Sequence, residues 1–359
     1  MALPSGVARV IAATLLAVCM GVGATPPVRA EGVAKVTIQS RPIDAFDTRD
    51  VQRLEFGRLR FRGGLELSGD HKQFGGFSAI RVAPNGSDFL ALTDRGYWLR
   101  GRLTYRGEAP SGIVNAEIAP MLYRDGRPIT ARGWFDAEAL AEDGASVYVA
   151  LERVHRILKF DYGKRGLLAR GTLVQVPPDM AKLPSNKGIE CLLVAPRGSA
   201  QAGALIAISE RGLDAAGNIR GFLIGGPKPG IFAIRPSDDF DITDCALTPG
   251  GHLLILERHF SWRRGVAMRL RSVPFAEVTP GAVLDGEVLV SADMGYQIDN
   301  MEGLSVHRAA NGDLVLTLIS DDNFSMIQRT ILLQFTLASE ETTGSGGAAR
   351  SGAANENRP

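Results

Sequence analysis

Hydrophobic and polar positions recur along the chain in five segments that share one plan. Each segment starts with a small or acidic residue, continues as a short alternating apolar stretch, turns at a glycine, and ends in a strongly apolar run that an acidic residue closes. This alternation around a glycine turn predicts a β-hairpin in each segment. The segments read FSAIRVAPNGSDFLALTDRG from Phe77, DAEALAEDGASVYVALERV from Asp136, GIECLLVAPRGSAQAGALIAISERG from Gly188, DITDCALTPGGHLLILERHF from Asp241 and NMEGLSVHRAANGDLVLTLISDDNF from Asn300.

Further strand-like runs follow the hairpins, such as RILKFDY and GLLARGTLVQV after the second one. Each unit therefore contains four predicted strands. Four-stranded units that repeat about every 50 residues are typical of β-propeller blades. The leading residues of successive units are 60, 52, 54 and 58 positions apart, and they are Ser78, Glu138, Glu190, Asp244 and Glu302. This even spacing favours five blades, and six blades is the alternative if one unit is subdivided.

The two ends of the repeat region predict how the ring closes. RLRFRGGLEL, from Arg58 to Leu67, is a strand signal with no partner nearby, and the last unit has three strands that end with TILLQFTL at 330–337. We expect the first strand to complete the last blade, because this pairing removes two exposed sheet edges. The predicted fold is all-β, a single propeller over residues 46–338 that is closed by its N- and C-terminal strands.

The segments outside the propeller carry their own signals. Arg9, the apolar run 10–23 and the small-residue pattern Val28-Arg29-Ala30 predict a signal peptide over residues 1–30 with cleavage after Ala30, and hence a periplasmic or secreted protein. The apolar run is too short for a comfortable membrane span. Residues 31–45 are predicted to be an extended lead-in. Residues 339–359 are rich in Gly, Ala, Ser and Asn, which predicts a disordered tail.

Composition narrows the classes of partner. Of 359 residues, 45% are hydrophobic and the formal net charge is +1, so nothing indicates a nucleic-acid partner, and we expect a monomer. After cleavage two cysteines remain, Cys191 and Cys245. In an oxidising compartment they can pair. Two buried free thiols on inner strands is the simpler interpretation, and we favour it.

The hairpins also predict where the charged residues gather. Because a hairpin is antiparallel, its first and last residues lie at the same height, so the leading and closing residues of every unit meet at one mouth of the channel. Arg95, Arg153, Arg211 and Arg258 follow four of the closing acids. The carboxylates predicted at this mouth are Asp94, Glu138, Glu152, Glu190, Glu210, Asp244, Glu257, Glu302 and Asp321.

Such crowding of carboxylates needs compensation. Each arginine can pair with a neighbouring carboxylate, which is a purely structural solution. The other solution is a bound cation, and calcium prefers six to eight oxygen ligands in a flexible geometry. No His-Glu-x-x-His or paired-cysteine pattern indicates zinc. The candidate calcium ligands are Asp94, Glu138, Glu190, Asp244, Glu302, Asp321 and Asp322.

Candidate roles in chemistry follow from the same positions. A cation together with guanidinium groups can bind a small anionic or ester ligand. The candidate substrate-binding residues are Arg95, Arg153, Arg211, Arg258 and Lys187, and the candidate catalytic residues are Glu190, Glu302 and His259. His259 is included because histidine is the best general base near neutral pH. Ser78 and Asp322 break the charge pattern in the first and fifth units, so we expect an open site between these two blades.

The repeated segments resemble the bacterial phytase-like family, also described by the esterase-like activity of phytase. The resemblance spans roughly residues 46–337, and the recurring leader and acid-arginine positions carry it. It implies an exported propeller that hydrolyses phosphate or carboxylic esters, and its similarity to β-propeller phytases implies calcium held by carboxylates. The alternative function is a non-catalytic propeller that binds a small anion, a metal, a glycan or a protein partner.

Overall fold

The structure, a computed structural model, describes residues 32–338. The predicted signal peptide and the predicted C-terminal tail lie outside the described residues. Within residues 32–338, no helix is long and apolar enough to cross a membrane. The described helical segments are one short α-helix, α1 Tyr162–Arg165, and the 3-10 turns Ile129–Arg132, Gly166–Leu168, Pro178–Lys182 and Phe275–Glu277.

The rest of the described fold consists of short strands joined by turns and loops. In chain order the strands are β1 Ala34–Val36, β2 Ile38–Ile43, β3 Glu55–Phe56, β4 Leu59–Gly69, β5 Phe77–Val82, β6 Asp88–Thr93, β7 Tyr97–Arg106, β8 Ala109–Pro120, β9 Leu122–Tyr123, β10 Ala137–Asp143, β11 Ser146–Leu151, β12 Arg156–Phe160, β13 Arg170–Leu173, β14 Ile189–Val194, β15 Leu205–Leu213, β16 Ile219–Ile224, β17 Gly230–Ile234, β18 Asp241–Leu247, β19 His252–Ser261, β20 Gly265–Pro274, β21 Val283–Leu284, β22 Glu287–Ala292, β23 Asn300–Arg308, β24 Leu314–Asp321 and β25 Thr330–Leu337.

These strands form five sheets arranged as the blades of a propeller. From the channel outward the blades are β5-β6-β7-β8, β10-β11-β12-β13, β14-β15-β16-β17, β18-β19-β20-β22 and β23-β24-β25-β4. The prediction of five four-stranded blades is confirmed. Short strands extend four of the outer edges, where β1 pairs with β8, β9 with β13, β21 with β17 and β2 with β4.

The first long strand closes the ring. β4 lies antiparallel to β25, with Leu59 opposite Leu337 and Leu67 opposite Thr330. The predicted pairing of the N- and C-terminal strands is therefore confirmed. The lead-in segment also takes part, because β1 joins the first blade and β2 joins the fifth.

The hydrophobic core is divided among the contacts between blades. Five clusters of buried side chains lie one between each pair of neighbouring blades, including the pair formed by blades five and one. The innermost strands are buried along nearly their whole length because both of their faces meet other blades. Each blade can therefore bury its two faces only when both of its neighbours are in place.

A disulfide joins the inner strands of blades three and four. Cys191 of β14 and Cys245 of β18 are fully buried, and their Cα atoms are 5.1 Å apart. The interpretation as two free thiols, favoured above, is wrong. Both cysteines lie on channel-lining strands of neighbouring blades, so their side chains can meet.

A buried ion pair lies in the channel beside this disulfide. The Arg81 guanidinium donates to both carboxylate oxygens of Asp244 at 2.8 and 2.9 Å. Arg81 also donates to the carbonyl oxygen of Leu304 at 2.8 Å, and Asp244 accepts the Leu304 backbone N–H at 2.8 Å. Asp244 is fully buried, and its carboxylate accepts hydrogen bonds from groups of blades one, four and five.

Removing one partner of this pair should destabilise the whole ring. We expect Asp244→Ala to lower the free energy of unfolding by about 3–5 kcal/mol, because it leaves a buried guanidinium without its counter-charge. The matched control is Asp161→Ala, which breaks the exposed pair between Asp161 and Lys164 and should cost at most about 1 kcal/mol. Denaturant unfolding measures both values, and equal losses in the two variants would contradict the assignment.

The disulfide should stabilise the fold by restricting the unfolded chain. Its two cysteines are 54 residues apart, and a loop of this length corresponds to about 4 kcal/mol in the chain-entropy description. We expect the double variant Cys191→Ala/Cys245→Ala to unfold at a lower denaturant concentration than the wild type. Reductant should shift the unfolding midpoint of the wild type toward that of the variant and leave the variant unchanged. An unaltered midpoint in both experiments would show that the bond contributes nothing.

Candidate functional site

A β-bulge near the start of every inner strand builds one mouth of the channel. At each bulge one residue is skipped in the pairing with the second strand of the blade. A bulge redirects a side chain that regular alternation would send elsewhere, and bulges are over-represented next to active sites. The bulged residues of blades one to five are Ser78, Glu138, Glu190, Thr243 and Glu302.

The closing residues of the second strands lie at the same mouth. In blades two and three their backbone N–H groups donate across the hairpin at 2.8 Å, from Glu152 to Asp136 and from Glu210 to Gly188. Gly188 is required at this point because an added Cβ would lie 2.6 Å from the Cγ of Glu152. The equivalent closing residues of blades one to five are Asp94, Glu152, Glu210, Arg258 and Asp321.

The fourth blade departs from the prediction by one residue on both strands. Asp244 and Glu257 were expected at the mouth, but the pairing of β18 with β19 puts Thr243 and Arg258 at the equivalent positions. Asp244 binds Arg81 deeper in the channel. Glu257 is fully buried and pairs with Arg269 and Arg271 at 2.9 and 2.5 Å. The fourth blade therefore places a cation where the other four blades place a carboxylate.

The mouth forms a cavity of about 340 Å³ with a strongly negative lining. Eight carboxylates and three cations line it. Asn186, Asn300 and Asn323 complete the lining. The carboxylates are Asp94, Asp136, Glu138, Glu152, Glu190, Glu210, Glu302 and Asp321, and the cations are Arg153, Lys187 and Arg258.

The cations are concentrated on the side of blades three and four. Arg258 lies 2.9 Å from Glu302 and 3.4 Å from Glu210, and Lys187 lies 2.8 Å from the other oxygen of Glu210. Arg153 pairs with Asp136 at the edge of the cavity. These are the ion pairs predicted if arginines neutralise neighbouring carboxylates, and they balance part of the negative charge of the cavity.

Other carboxylates in the cavity are not compensated in this way. Among the described residues, Glu190 and Glu138 have no ion pair within 4.0 Å, although Glu190 is 93% buried. Oxygen atoms of Glu152, Glu190 and Glu210 lie within 4.8 Å of one another. Three buried carboxylates at this spacing suit a hard divalent cation such as calcium. We refer to these three residues as the glutamate triad.

Burial and mutual repulsion raise the pKa of every titrating carboxyl in the ring of bulged and closing residues. Burial is the main cause in each case. It raises the pKa of Asp94 and Glu152 to about 6, that of Asp321 to about 7 and that of Glu302 to about 8. The pKa of Glu190 is raised well above its ordinary value by burial and then by Glu138 and Glu302. Protons or a cation must therefore neutralise much of this ring.

Several residues predicted for the site lie elsewhere. Arg95 stacks over the ring of Phe324, and Arg211 pairs with Asp241. His259 contacts Phe240 and bonds the carbonyl oxygen of Asp239 through Nδ1 at 2.9 Å. Asp322 accepts from the backbone of Gly76 at 3.0 Å and from Thr330 at 2.9 Å, so it joins blade five to blade one. None of these four predicted residues lines the cavity.

The position of the most compact acidic cluster also differs from expectation. We predicted an open site between blades one and five, whereas the glutamate triad comes from blades two and three. The prediction rested on Ser78 and Asp322, which break the charge pattern in the first and fifth units. Asp136, the first residue of the second predicted hairpin, precedes its bulged glutamate by two residues and also lines the cavity, although it was not among the predicted ligands or catalytic residues.

Fold and site together define a five-bladed propeller with an acidic pocket at one mouth. The chain belongs to the phytase-like family, described by the esterase-like activity of phytase, whose sequence model matches residues 72–324. The family resemblance stated from the repeated segments is thereby confirmed. No curated protein matches the chain in sequence.

The chain is also similar, at low scores, to solved structures of other proteins. A glutaminyl cyclase from Myxococcus xanthus is 11% identical, with a TM-score of 0.38 and coverage of 86% of this chain and 100% of that one. An α-L-arabinofuranosidase from Podospora anserina in complex with cellotriose is 9% identical, with a TM-score of 0.45 and coverage of 75% and 94%. At these identities and scores neither similarity bears on function.

The raised pKa values predict an unusual pH profile for stability. A carboxyl that holds its proton more tightly in the folded than in the unfolded state stabilises the fold at low pH and loses that contribution as pH rises. We expect the free energy of unfolding of the metal-free protein to fall between about pH 5 and about pH 8, the range set by Asp94, Glu152, Asp321 and Glu302. Thermal unfolding with a chelator present measures this profile.

The control for that profile is Glu302→Gln, which removes the carboxyl with a pKa of about 8. Its stability should fall less steeply between pH 7 and pH 8 than that of the wild type. If the stability of the wild type stays constant or rises over the whole range, the carboxyls are not protonated in the folded protein.

Proposed function

We propose that this protein is an exported hydrolase of phosphate or carboxylic esters, with its site in the acidic cavity and calcium as its cofactor. One observation supports this most: the cavity contains eight carboxylates and three cations, and Glu190 is buried there with no ion pair to any residue in 32–338. Membership in the phytase-like family supports ester hydrolysis as the reaction class. The disulfide supports export, because such bonds persist in oxidising compartments.

The glutamate triad is the proposed calcium site. Its donor chemistry fits, since all three residues offer carboxylate oxygens at a mutual spacing that one ion can bridge. Glu152 already accepts the backbone N–H of Gly188 at 3.0 Å, which orients it toward the cavity. When bound, calcium would polarise the ester and neutralise the charge that develops on it.

The cations and the remaining acidic group beside the triad supply the other roles in this proposal. Arg258 and Lys187 bind the anionic part of the ester, because they are the cations closest to the triad. Both share Glu210 with the triad, so a cation bound there competes with them for that carboxylate. Glu302 keeps the role of acid or base at its raised pKa, with Asn300 donating to it at 2.9 Å. His259 is omitted because it does not line the cavity.

The decisive variant is Glu190→Gln. It preserves the shape of the side chain, removes the buried negative charge and should not unfold the protein. We expect calcium to raise the melting temperature of the wild type and to have much less effect on the variant, because the ion loses one of its three protein ligands. Hydrolysis of p-nitrophenyl phosphate or p-nitrophenyl acetate should fall on the order of 100-fold in the variant.

The matched control is Glu277→Gln, which makes the same chemical change at an exposed glutamate of a 3-10 turn away from the cavity. It should retain both calcium stabilisation and turnover. Calcium stabilisation of the wild type without turnover of either ester would favour the alternative, a non-catalytic propeller that binds a metal. If calcium neither stabilises the wild type nor supports turnover of either ester, the charged residues of the cavity have only a structural role.

A further inference from the structure

Two neighbouring blades carry exposed apolar side chains on the same face as the acidic cavity. The hairpin between β19 and β20 presents Trp262, which is 95% exposed, and the loop between β24 and β25 presents Met326 and Ile327, which are almost fully exposed. Met294, in the loop before β23, is 61% exposed. Exposed apolar groups on this scale mark interaction surfaces more often than isolated surface positions do.

Two close approaches show that the loops carrying these side chains adjoin one another. An added Cβ on Gly265, at the base of the hairpin, would lie 2.8 Å from Cγ of Met294. From there the loop continues to Gln297, whose side-chain oxygen accepts from Arg329 at 3.1 Å. Arg329 follows Ile327 by two residues. The surface therefore runs from the tip of blade four to the adjoining loop of blade five.

The hairpin tip adds positive charge to this apolar surface. Arg263 and Arg264 follow Trp262 directly, both are exposed, and neither makes an ion pair with any residue of the described chain. Asp293 lies beside Met294 and is exposed, and its carboxylate accepts the backbone N–H of Gly295 at 2.8 Å. The rim patch, defined as Trp262, Arg263, Arg264, Met294, Met326 and Ile327, is thus apolar with two positive charges at the hairpin tip and one negative charge at its border.

We propose that the rim patch docks this protein onto an anionic phospholipid surface. Tryptophan is favoured at the boundary between headgroups and acyl chains, where its ring is buried and its N–H stays solvated. Arginines beside it attract negatively charged headgroups. The patch consists of protruding loop tips, which suits shallow insertion into a lipid interface better than binding in a groove. This proposal does not depend on the hydrolase proposal.

The test is sedimentation of the whole protein with lipid vesicles. We expect binding to vesicles of phosphatidylcholine mixed with phosphatidylglycerol, much weaker binding to pure phosphatidylcholine, and loss of binding as salt is added. Trp262 should shift its fluorescence to shorter wavelength on binding. The variant Trp262→Ser should bind on the order of tenfold more weakly and lose the shift.

A pair of double variants isolates the role of charge. Arg263→Gln/Arg264→Gln should weaken binding on the order of tenfold. Arg106→Gln/Arg197→Gln removes the same charge from exposed turns at the opposite ends of their blades and should bind like the wild type. All variants share the same N-terminal segment, so its contribution to binding cancels in the comparison.

Two results would overturn the proposal. The first is equal vesicle binding by the two double variants, which would assign the effect to overall charge. The second is concentration-dependent self-association in sedimentation velocity that Trp262→Ser abolishes, which would make a second copy of the chain the occupant of the patch.

Discussion

Charge buried in the channel of a propeller needs a counter-charge, and Arg81 and Asp244 supply one for each other across the ring. Asp244 belongs to blade four and Arg81 to blade one, while backbone groups of Leu304 bring in blade five. Arg81 also reaches the carbonyl oxygen of Leu192 in blade three at 3.4 Å. Groups from four of the five blades therefore contact this one ion pair, which holds their inner strands together.

The site owes its asymmetry to the fourth blade. Blades one, two, three and five each contribute a closing carboxylate, whereas blade four contributes Arg258. Arg258 forms ion pairs with Glu210 of blade three and Glu302 of blade five. A ring with identical units would repel any anion and bind cations without preference for a side. Because the change falls in a single unit, the cavity has an acidic half and a mixed half. The proposed hydrolysis would use both halves, the acidic one for a cation and the mixed one for an anionic group of the substrate.

The sequence was sufficient to predict the blade count, the closing strand and most carboxylates of the mouth, because a period of about 50 residues and an antiparallel hairpin leave little freedom. It was insufficient in blade four, where Thr243-Asp244 and Glu257-Arg258 each offer two polar candidates for one position. The position of the β-bulge determines which of two such neighbours lies at the mouth, and that position depends on the pairing of β18 with β19. The disulfide was missed for a related reason, since it joins two inner strands whose separation the repeat alone does not give.

The closing strand places a condition on the order of folding. β4 precedes all four strands of the first blade in the chain, yet it pairs with β25, which contains the last residues of the ring. No partial chain can therefore complete blade five or bury the cores on its two sides. Contacts of such long sequence separation make folding slow. The ring can therefore close only after β25, its final strand, has been synthesised.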